Sequence, residues 1–179
     1  MTDREIMELL HEGRREMAFD EIVRSYGERL YWHIRRFTNS HDDADDILQD
    51  TFMKAWKALP GFKEGSQIFT WIYRIATNES LNYIRKNKWK AMLQAQTLES
   101  IMESRIDEDP YFNGNALQRD LMKAVNRLPE KQKLVFCLRY FDDLGYGDIA
   151  EITGTSVGAL KASYHFASGK IKAELENRL

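Results

Sequence analysis

Apolar residues recur every three or four positions along most of the chain, and this spacing is the feature that most restricts its fold. Such a period places the apolar residues on one face of an α-helix. One predicted stripe runs from Phe19 to Phe37, a second from Ala44 to Leu59 and a third from Ile72 to Ile84. No stretch alternates between apolar and polar residues for long enough to indicate a β-sheet. The chain is therefore predicted to be all-α.

The last quarter of the sequence predicts a helix-turn-helix. Residues 146–153 have the pattern of a short amphipathic helix, Gly154 of a turn, and residues 156–179 of a longer helix. A helix-turn-helix commonly presents its second helix to the major groove of DNA. Val157 and Leu160 begin the apolar stripe that is expected to hold this second helix against the core. We therefore expect a DNA-binding module in this part of the chain.

Helix breakers and charge divide the chain into two predicted domains. Residues 91–115 are acidic, have a weak apolar pattern and end in Asp109-Pro110 and Asn113-Gly114, so we interpret them as a linker. We expect one small helical domain in residues 1–90. A second domain of four helices, which includes the helix-turn-helix, is expected in residues 116–179.

Charge is segregated along the chain although the whole chain is close to neutral. The 179 residues carry a formal net charge of −2 at pH 7, which is low for a protein that must find DNA unaided. Residues 70–90 contain five basic residues and one acidic residue, whereas residues 91–115 contain five acidic residues and one arginine. A basic face beside an acidic connector predicts local contact with DNA and a second, positively charged partner elsewhere.

Composition disfavours several other classes of protein. The single cysteine, Cys137, allows neither an internal disulfide nor a Cys-rich zinc site, and its apolar neighbours predict burial. The acidic run at residues 41–46 lacks the alternate ligands of a calcium loop, so no metal or cofactor is expected. Ser40, Asp42 and Asp43 are instead expected to cap a helix. Neither a signal peptide nor an apolar stretch of about 20 residues is recognisable, which predicts a cytoplasmic protein without membrane insertion.

Three strings of sequence, taken in order, resemble the extracytoplasmic-function (ECF) sigma factors of bacterial RNA polymerase, within the sigma-70 family. The first string spans residues 45–56 (DDILQDTFMKAW) and the second spans residues 69–78 (FTWIYRIATN). The third begins at residues 128–132 (LPEKQ) and ends at residues 156–161 (SVGALK). Their order and spacing are similar to those of the corresponding motifs in the family, where a promoter-melting domain is followed by a linker and by a domain that reads the upstream element. The final string, extended to His165, resembles members from Bacteroidetes.

The resemblance implies a promoter-specificity subunit that directs core polymerase to promoters and assists DNA opening. The implied partners are core RNA polymerase, promoter DNA and an anti-sigma factor. Core polymerase would be contacted through its largest clamp subunit and through the flap of its second-largest subunit. Bond formation belongs to the polymerase, so we expect no enzymatic activity and no catalytic residue. Residues 1–90 would correspond to sigma region 2 and residues 116–179 to sigma region 4.

The second predicted helix carries the residues that the resemblance assigns to polymerase binding. They lie opposite its apolar stripe and are Asp46, Gln49, Asp50 and Met53. Without the resemblance, a solvated acidic face is the simpler interpretation. With it, these side chains are expected to dock on the coiled coil of the largest clamp subunit. Charge complementarity there would set orientation and association rate more than affinity.

A glycine-containing loop and the helix after it supply the candidates for the minus-ten promoter element. In the family, the loop at residues 60–67 captures a base of the non-template strand, and the helix contacts bases and phosphates just upstream. The candidates are Phe62, Lys63, Ser66, Arg74, Asn78, Asn82, Arg85, Lys86 and Lys88. Asn78 and Asn82 lie one turn apart and can reach base edges together, whereas the basic residues suit phosphates. Core packing is the alternative for Phe62 and the expected role of Trp71.

The recognition helix supplies the candidates for the minus-thirty-five element. They are Ser156, Gly158, Lys161, Ser163, His165 and Lys170. Lys161 and Lys170 suit phosphates or guanine, while His165 fits base contact and helix packing equally. Many relatives place more arginines on this face, so we expect sparse direct readout, with DNA shape carrying more of the specificity.

Other interpretations remain open from the sequence. A stand-alone helix-turn-helix regulator would bind DNA tightly without polymerase and would not need the face at Asp46. An enzyme is disfavoured because the four histidines lie far apart and no nucleophile has a recognisable partner. The acidic linker either threads through the polymerase channel or is a solvated tether. The near-neutral charge leads to the hypothesis that the free protein is kept off DNA, by its own acidic segments or by an anti-sigma partner.

Overall fold

The all-α prediction is confirmed by the computed structural model. The structure describes residues 2–63, 65–110, 112 and 114–178, and these ranges contain helices and no strand. Within them, no helix combines the length and the apolar content needed to cross a bilayer. The same ranges hold no group of three or more His, Cys, Asp or Glu side chains placed to bind a metal. Glu64 of the predicted DNA-contacting loop and Asn113 of the predicted linker lie outside the described residues.

Helices follow one another with short connections. They are α1 (Asp3–His11), α2 (Arg15–Thr38), α3 (His41–Ala58), α4 (Ile68–Leu93), α5 (Leu98–Glu108), α6 (Ala116–Asn126), α7 (Glu130–Phe136), α8 (Tyr146–Thr153) and α9 (Val157–Glu176). A short 3-10 turn, Leu59–Gly61, follows α3, and a π-helical turn, Cys137–Phe141, extends α7.

Local caps set the helix ends in the N-terminal half. Thr2 and Glu5 form a capping box at α1. α2 ends at Asn39, whose φ of 48° is left-handed and reverses the chain. The Ser40 side chain then accepts a 3.3 Å hydrogen bond from the backbone N–H of Asp43, as predicted, and begins α3. Between these ends, α2, α3 and α4 pack against one another around a shared core.

The predicted linker is helical along much of its length. α4 runs to Leu93, and α5 begins after Thr97, whose side chain accepts a 3.2 Å hydrogen bond from the backbone N–H of Ser100. Met102 and Ile106 on α5 are buried, and α5 packs against α6. The acidic segment is thus anchored to the body of the protein by an apolar face.

The C-terminal half contains the predicted four helices. Ser156 caps α9 by accepting a 3.3 Å hydrogen bond from the backbone N–H of Ala159. Gly154 has a φ of 70° and forms the left-handed turn between α8 and α9, which confirms the helix-turn-helix. Three apolar residues that their spacing assigns to buried stripes are wrong, because Val23, Leu117 and Val157 are 36%, 59% and 39% exposed. Leu117 and Val157 lie in the first turn of α6 and α9, where the stripe has not yet reached the core, whereas Val23 lies at the edge of the α2 stripe beside the buried Ile22.

α7 widens into a π-helical turn before it ends. The backbone N–H of Asp142 donates to the carbonyl oxygen of Cys137, five residues earlier, at 3.1 Å. Such turns hold one more residue than an α-helical turn and often occur at functional sites. Cys137 is fully buried, as predicted from its apolar neighbours, and burial raises the pKa of its thiol to about 12.

The two halves share one apolar core in this structure. A single cluster of buried side chains includes Phe37 and Tyr73 from the N-terminal half and Leu138 and Ile149 from the C-terminal half. α4 packs against α8, and α2 packs against the π-helical turn. The described protein is therefore closed, with its two predicted domains in contact.

The turn at Gly154 allows a matched test of the helix-turn-helix geometry. Gly154→Ala places a Cβ in the left-handed conformation and is expected to lower the free energy of unfolding by about 1 to 2 kcal/mol. Gly169→Ala lies within α9, where an added Cβ meets open space, and should instead raise it by up to about 1 kcal/mol. Urea denaturation followed by circular dichroism measures both. Shifts of the same sign would contradict the assigned turn.

Candidate polymerase and nucleic-acid interfaces

The α3 face predicted to bind polymerase is open to solvent. Its four side chains are all exposed: Asp46, Gln49, Asp50 and Met53. The other side of α3 buries Ala44, Ile47 and Ala55 in the core, so the helix is held firmly while this face stays free. Carboxylates beside an exposed methionine suit a basic partner surface that also offers apolar contact.

The predicted base-capturing loop packs partly on its own aromatic neighbour. Phe62 is half-buried and meets Trp71 edge-on, with ring centroids 5.1 Å apart. Lys63 and Ser66 are exposed. Trp71 is half-buried and packed against the core, in accord with its expected role. Phe62 therefore makes a packing contact here while one part of its side chain remains accessible.

α4 carries all the remaining minus-ten candidates on its exposed surface. They are Arg74, Asn78, Asn82, Arg85, Lys86 and Lys88. Asn78 and Asn82 are one turn apart on the same side of the helix, as their spacing predicts. The arrangement offers two amides with several cations around them, which is a combination suited to base edges and phosphates together.

One flank of this α4 face is covered by the C-terminal half. Arg74 donates a hydrogen bond to the backbone carbonyl oxygen of Glu151 on α8. Arg85 forms an ion pair with Glu130 on α7, with a nitrogen-to-oxygen distance of 2.8 Å. Between them lies a cleft of about 180 Å³, lined by Asn78 of α4 and Ser163 of α9 among others. Residues predicted to read two separate promoter elements thus face each other across a narrow gap.

The recognition helix exposes most of its predicted DNA contacts. Ser156, Gly158, Lys161, His165 and Lys170 are accessible, whereas Ser163 is half-buried towards α4. Phe166, which the sequence analysis left out, is 60% exposed on the same helix. Phe166 is three residues from Ser163 and four from Lys170, and this helical spacing could have predicted it beside them.

A buried polar network joins the two halves at the π-helical turn. The Asp142 carboxylate lies 2.8 Å from Nδ1 of His33 and accepts a 2.6 Å hydrogen bond from Arg36. Nε2 of His33 lies 3.0 Å from the hydroxyl of Thr77. Burial alone would raise the pKa of Asp142, but the hydrogen bond with His33 and the charge of Arg36 outweigh it and hold that pKa below its usual range. The carboxylate is therefore kept ionised between α2 and the C-terminal half.

A second polar contact between the halves contains a buried lysine. Lys133 on α7 donates a 2.9 Å hydrogen bond to the side-chain oxygen of Asn126 and lies 5.2 Å from the ring of Phe37. Asn39 donates to the same oxygen at 3.2 Å. Burial lowers the pKa of Lys133 to about 8. Sequence reasoning did not find this lysine or the Asp142 network, since the residues of the N-terminal half that they meet are far away along the chain.

The acidic segment pairs with cations other than those of the α4 face. Asp109 bonds to Arg35, and Asp107 lies 2.7 Å from Lys123. Glu103 lies 2.6 Å from Arg127, which also pairs with Glu174 at 2.6 Å. The segment is thus bound to α2 and α6 by charge, and it leaves the cations of α4 to other partners.

The fold and surface chemistry define a two-part helical protein of the DNA-binding type, and comparison with known proteins gives its family. The sigma-70 region 2 family matches residues 22–90, and the sigma-70 region 4 family matches residues 118–171. The chain is 30% identical to the ECF RNA polymerase sigma factor SigW of Bacillus subtilis, over 89% of this chain and 90% of the relative. The chain therefore belongs to the ECF RNA polymerase sigma factors, which disfavours a stand-alone regulator.

Further relatives and solved structures agree with this family. The RNA polymerase sigma-H factor of Pseudomonas aeruginosa is 29% identical, over 97% of this chain and 94% of the relative. The sigma factor RpoE of Bartonella quintana, solved with the anti-sigma factor NepR, is 25% identical with a TM-score of 0.68, over 88% of this chain and 96% of that one. CnrH, solved with the cytosolic domain of CnrY, shares the fold with a TM-score of 0.69, at 23% identity over 90% of each chain. The resemblance to Bacteroidetes members stays a prediction.

The buried Lys133 predicts a pH dependence of stability. Its pKa is about 8 in the folded protein and near 10.5 in the unfolded chain, so between these values the unfolded chain binds more protons and stability rises with pH. We expect a gain of about 1 kcal/mol between pH 7.5 and 9. Lys133→Met should remove this rise. Above pH 9 the Cys137 thiol acts in the opposite direction, because its pKa is higher in the folded protein.

Urea denaturation of both proteins across this pH range makes the measurement. The two proteins share every other titrating group, so the difference between their profiles isolates Lys133. An unchanged slope in the Lys133→Met protein would show that this ammonium group keeps its ordinary pKa in the folded state and is solvated there.

Proposed function

We propose that this sigma factor binds core polymerase and reads the minus-ten element with residues 1–90, and reads the minus-thirty-five element with residues 116–179. The observation that carries the proposal is that one small helical unit presents an acidic face on α3 and a separate basic face on α4. A protein that must hold a basic protein surface and DNA together needs both signs of charge on different sides. The subunit itself catalyses no reaction, and it works in the cytoplasm beside the polymerase.

Polymerase is bound through α3 in this proposal. Asp46 and Asp50 would meet basic side chains of the largest clamp subunit, while Met53 would fill an apolar gap between them. These side chains are free in the described structure, and the core beneath them is rigidly packed, so docking requires little rearrangement of this half.

DNA is bound by α4 and α9 together. Asn78 and Asn82 would reach base edges of the minus-ten element, and Arg85, Lys86 and Lys88 would neutralise phosphates around it. Lys161 and Lys170 on α9 would contact the backbone of the minus-thirty-five element, which anchors the helix without reading sequence directly. The flap of the second-largest polymerase subunit is expected to hold this C-terminal half at the spacing that the promoter requires.

The closed form supports the hypothesis that the free protein is kept off DNA. Arg74 donates to the backbone carbonyl oxygen of Glu151 and Arg85 pairs with the Glu130 carboxylate, so phosphates would compete with these contacts for the two guanidinium groups. Both partners belong to the C-terminal half and not to the acidic segment at residues 91–115. We therefore assign the occlusion to docking of the two halves, with the Asp142 network as its buried joint. Polymerase and promoter DNA would separate the halves.

An anti-sigma factor would act by stabilising this closed form. A cleft of about 500 Å³ runs between the halves and is lined by Trp32 and Ile106 on one side and Tyr140 and Phe141 on the other. An apolar side chain set into it would touch both halves at once. A ligand that binds one conformation better shifts the population towards that conformation. The cleft therefore suits a partner that keeps the sigma factor inactive.

Run-off transcription tests the polymerase interface directly. Purified core polymerase from the source organism is combined with the sigma factor and with promoter DNA selected from a random library by the wild-type holoenzyme. The triple variant Asp46→Ala, Gln49→Ala and Asp50→Ala should lower sigma-dependent transcripts at least about tenfold, because charge complementarity is lost at the docking face. A matched variant, Glu16→Ala with Asp20→Ala, also removes two exposed carboxylates and should transcribe normally.

The wild-type protein provides the decisive outcome in this assay. If core polymerase neither binds it nor gives new transcripts, the proposed function is wrong. If wild-type transcripts appear and the triple variant matches them, the polymerase contact lies on a different face.

Asp142 tests the closed form. Asp142→Asn keeps the shape of the side chain and removes its charge, which leaves His33 and Arg36 without a carboxylate. Removal of one partner from a buried ion pair is costly, and since the amide retains part of the hydrogen bonding we expect a loss of about 2 to 3 kcal/mol from the closed form. Asp143→Asn, at the adjacent exposed position, should have little effect because asparagine tolerates the left-handed φ of 54° found there.

Energy transfer between dyes on α4 and α9 measures the opening. Dyes placed through Lys88→Cys and Lys170→Cys are suitable because the native Cys137 is buried and its thiol pKa is raised. The Asp142→Asn protein should show lower transfer efficiency and tighter binding of promoter DNA without polymerase. Equal transfer in all three proteins, at equal thermal stability, would rule out Asp142 as the joint.

A further inference from the structure

The end of α4 carries large apolar side chains that are mostly exposed among the described residues. Trp89, Met92 and Leu93 are 62%, 66% and 72% exposed. Within the described residues, the Trp89 ring contacts no other aromatic ring and no cation. Trp71 and Trp32, in contrast, each contact another ring. Exposed apolar patches of this kind often mark interaction sites.

The helical register places this patch in line with the predicted DNA-reading residues. Asn78, Asn82, Arg85, Trp89 and Met92 follow one another at spacings of four, three, four and three residues. Residues with this spacing form one stripe along a helix. The buried Ala91 lies on the opposite side of α4 from Trp89, since two residues correspond to a rotation of about 200°. The patch is therefore a continuation of the reading face.

Charge around the patch favours a polyanion. Lys86, Lys88 and Lys90 surround Trp89, and no acidic residue occurs between Ser80 and Gln96. Within the described part of the chain, these three lysines take part in no ion pair. The ring can pack on a sugar and a base edge while the lysines bind the flanking phosphates. A basic protein surface would be repelled by the same lysines.

We propose that Trp89, supported by Met92, binds double-stranded DNA immediately upstream of the minus-ten element, with its indole ring packed on a deoxyribose and base edge. This inference rests on the proposed function of α4. Trp89 lies 11 residues beyond Asn78, which is about 16 Å along the helix axis and no more than about five base pairs of duplex. Lys86, Lys88 and Lys90 neutralise the phosphates that flank the ring. The contact extends the promoter segment held by α4 into the paired spacer.

Two promoter probes separate this contact from the rest of the interface. Both lack the minus-thirty-five element and carry a minus-ten element selected by the wild-type holoenzyme. One probe continues upstream as about eight base pairs of duplex, and the other ends at the edge of the minus-ten element. Fluorescence anisotropy gives the dissociation constant of each probe for holoenzyme that contains wild-type, Trp89→Ala, Trp89→Phe or Leu117→Ala sigma factor. Leu117→Ala truncates an equally exposed apolar side chain on α6.

Trp89→Ala should weaken binding of the longer probe about fivefold, which corresponds to loss of a partly buried apolar contact, and should leave the shorter probe unchanged. Trp89→Phe should retain most of the affinity, and Leu117→Ala should match wild type. Equal loss on both probes, or no loss on either, would overturn the inference. Weaker assembly with core polymerase, at unchanged DNA affinity of the assembled holoenzyme, would overturn it in favour of a polymerase contact. Failure of the wild-type holoenzyme to bind either probe would instead refute the proposed function.

Discussion

A buried carboxylate forms the central polar joint between the two halves of this sigma factor. Asp142 is drawn into the protein between His33 and Arg36, and an ionised carboxylate is stable there only while both partners remain in place. Because His33 also meets Thr77, the joint reaches α2 and α4 together. The positions of α7, α8 and α9 relative to the reading face of α4 depend on this contact together with the shared apolar core. A polar joint of this kind is specific, but it gains little net stability over an apolar one, so it can be exchanged for other contacts.

The closed form makes activity a competition between internal and external partners. Two cations of α4, Arg74 and Arg85, already have partners in Glu151 and Glu130, and these partners are released only if polymerase and DNA bind more favourably. A ligand changes a conformational equilibrium by no more than its difference in affinity for the two forms. When polymerase binds α3 and DNA binds α4, both sites contribute to the difference in affinity between the open and closed forms.

Local rules predicted the elements, and their limits explain what was missed. The period of apolar residues located the helices, and Ser40, Ser156 and Gly154 marked helix ends because capping and left-handed turns depend on a few adjacent residues. The exposed face on α3 followed from the same period. The Asp142 network and Lys133 join residues about a hundred positions apart, and no local pattern encodes such pairing. The segment at residues 91–115 was expected to be a linker on its charge, whereas its buried Met102 and Ile106 give α5 an apolar anchor that a weak pattern concealed.

The π-helical turn after α7 determines where Asp142 points. One surplus residue between Cys137 and Phe141 rotates everything that follows by about 100° relative to an uninterrupted α-helix. Deletion of that residue would leave a more regular helix and an intact hydrophobic pattern, yet it would swing the carboxylate away from His33. Evolution could thus alter the mutual orientation of two DNA-reading modules by changing the length of one helical turn, without altering any residue that touches a promoter.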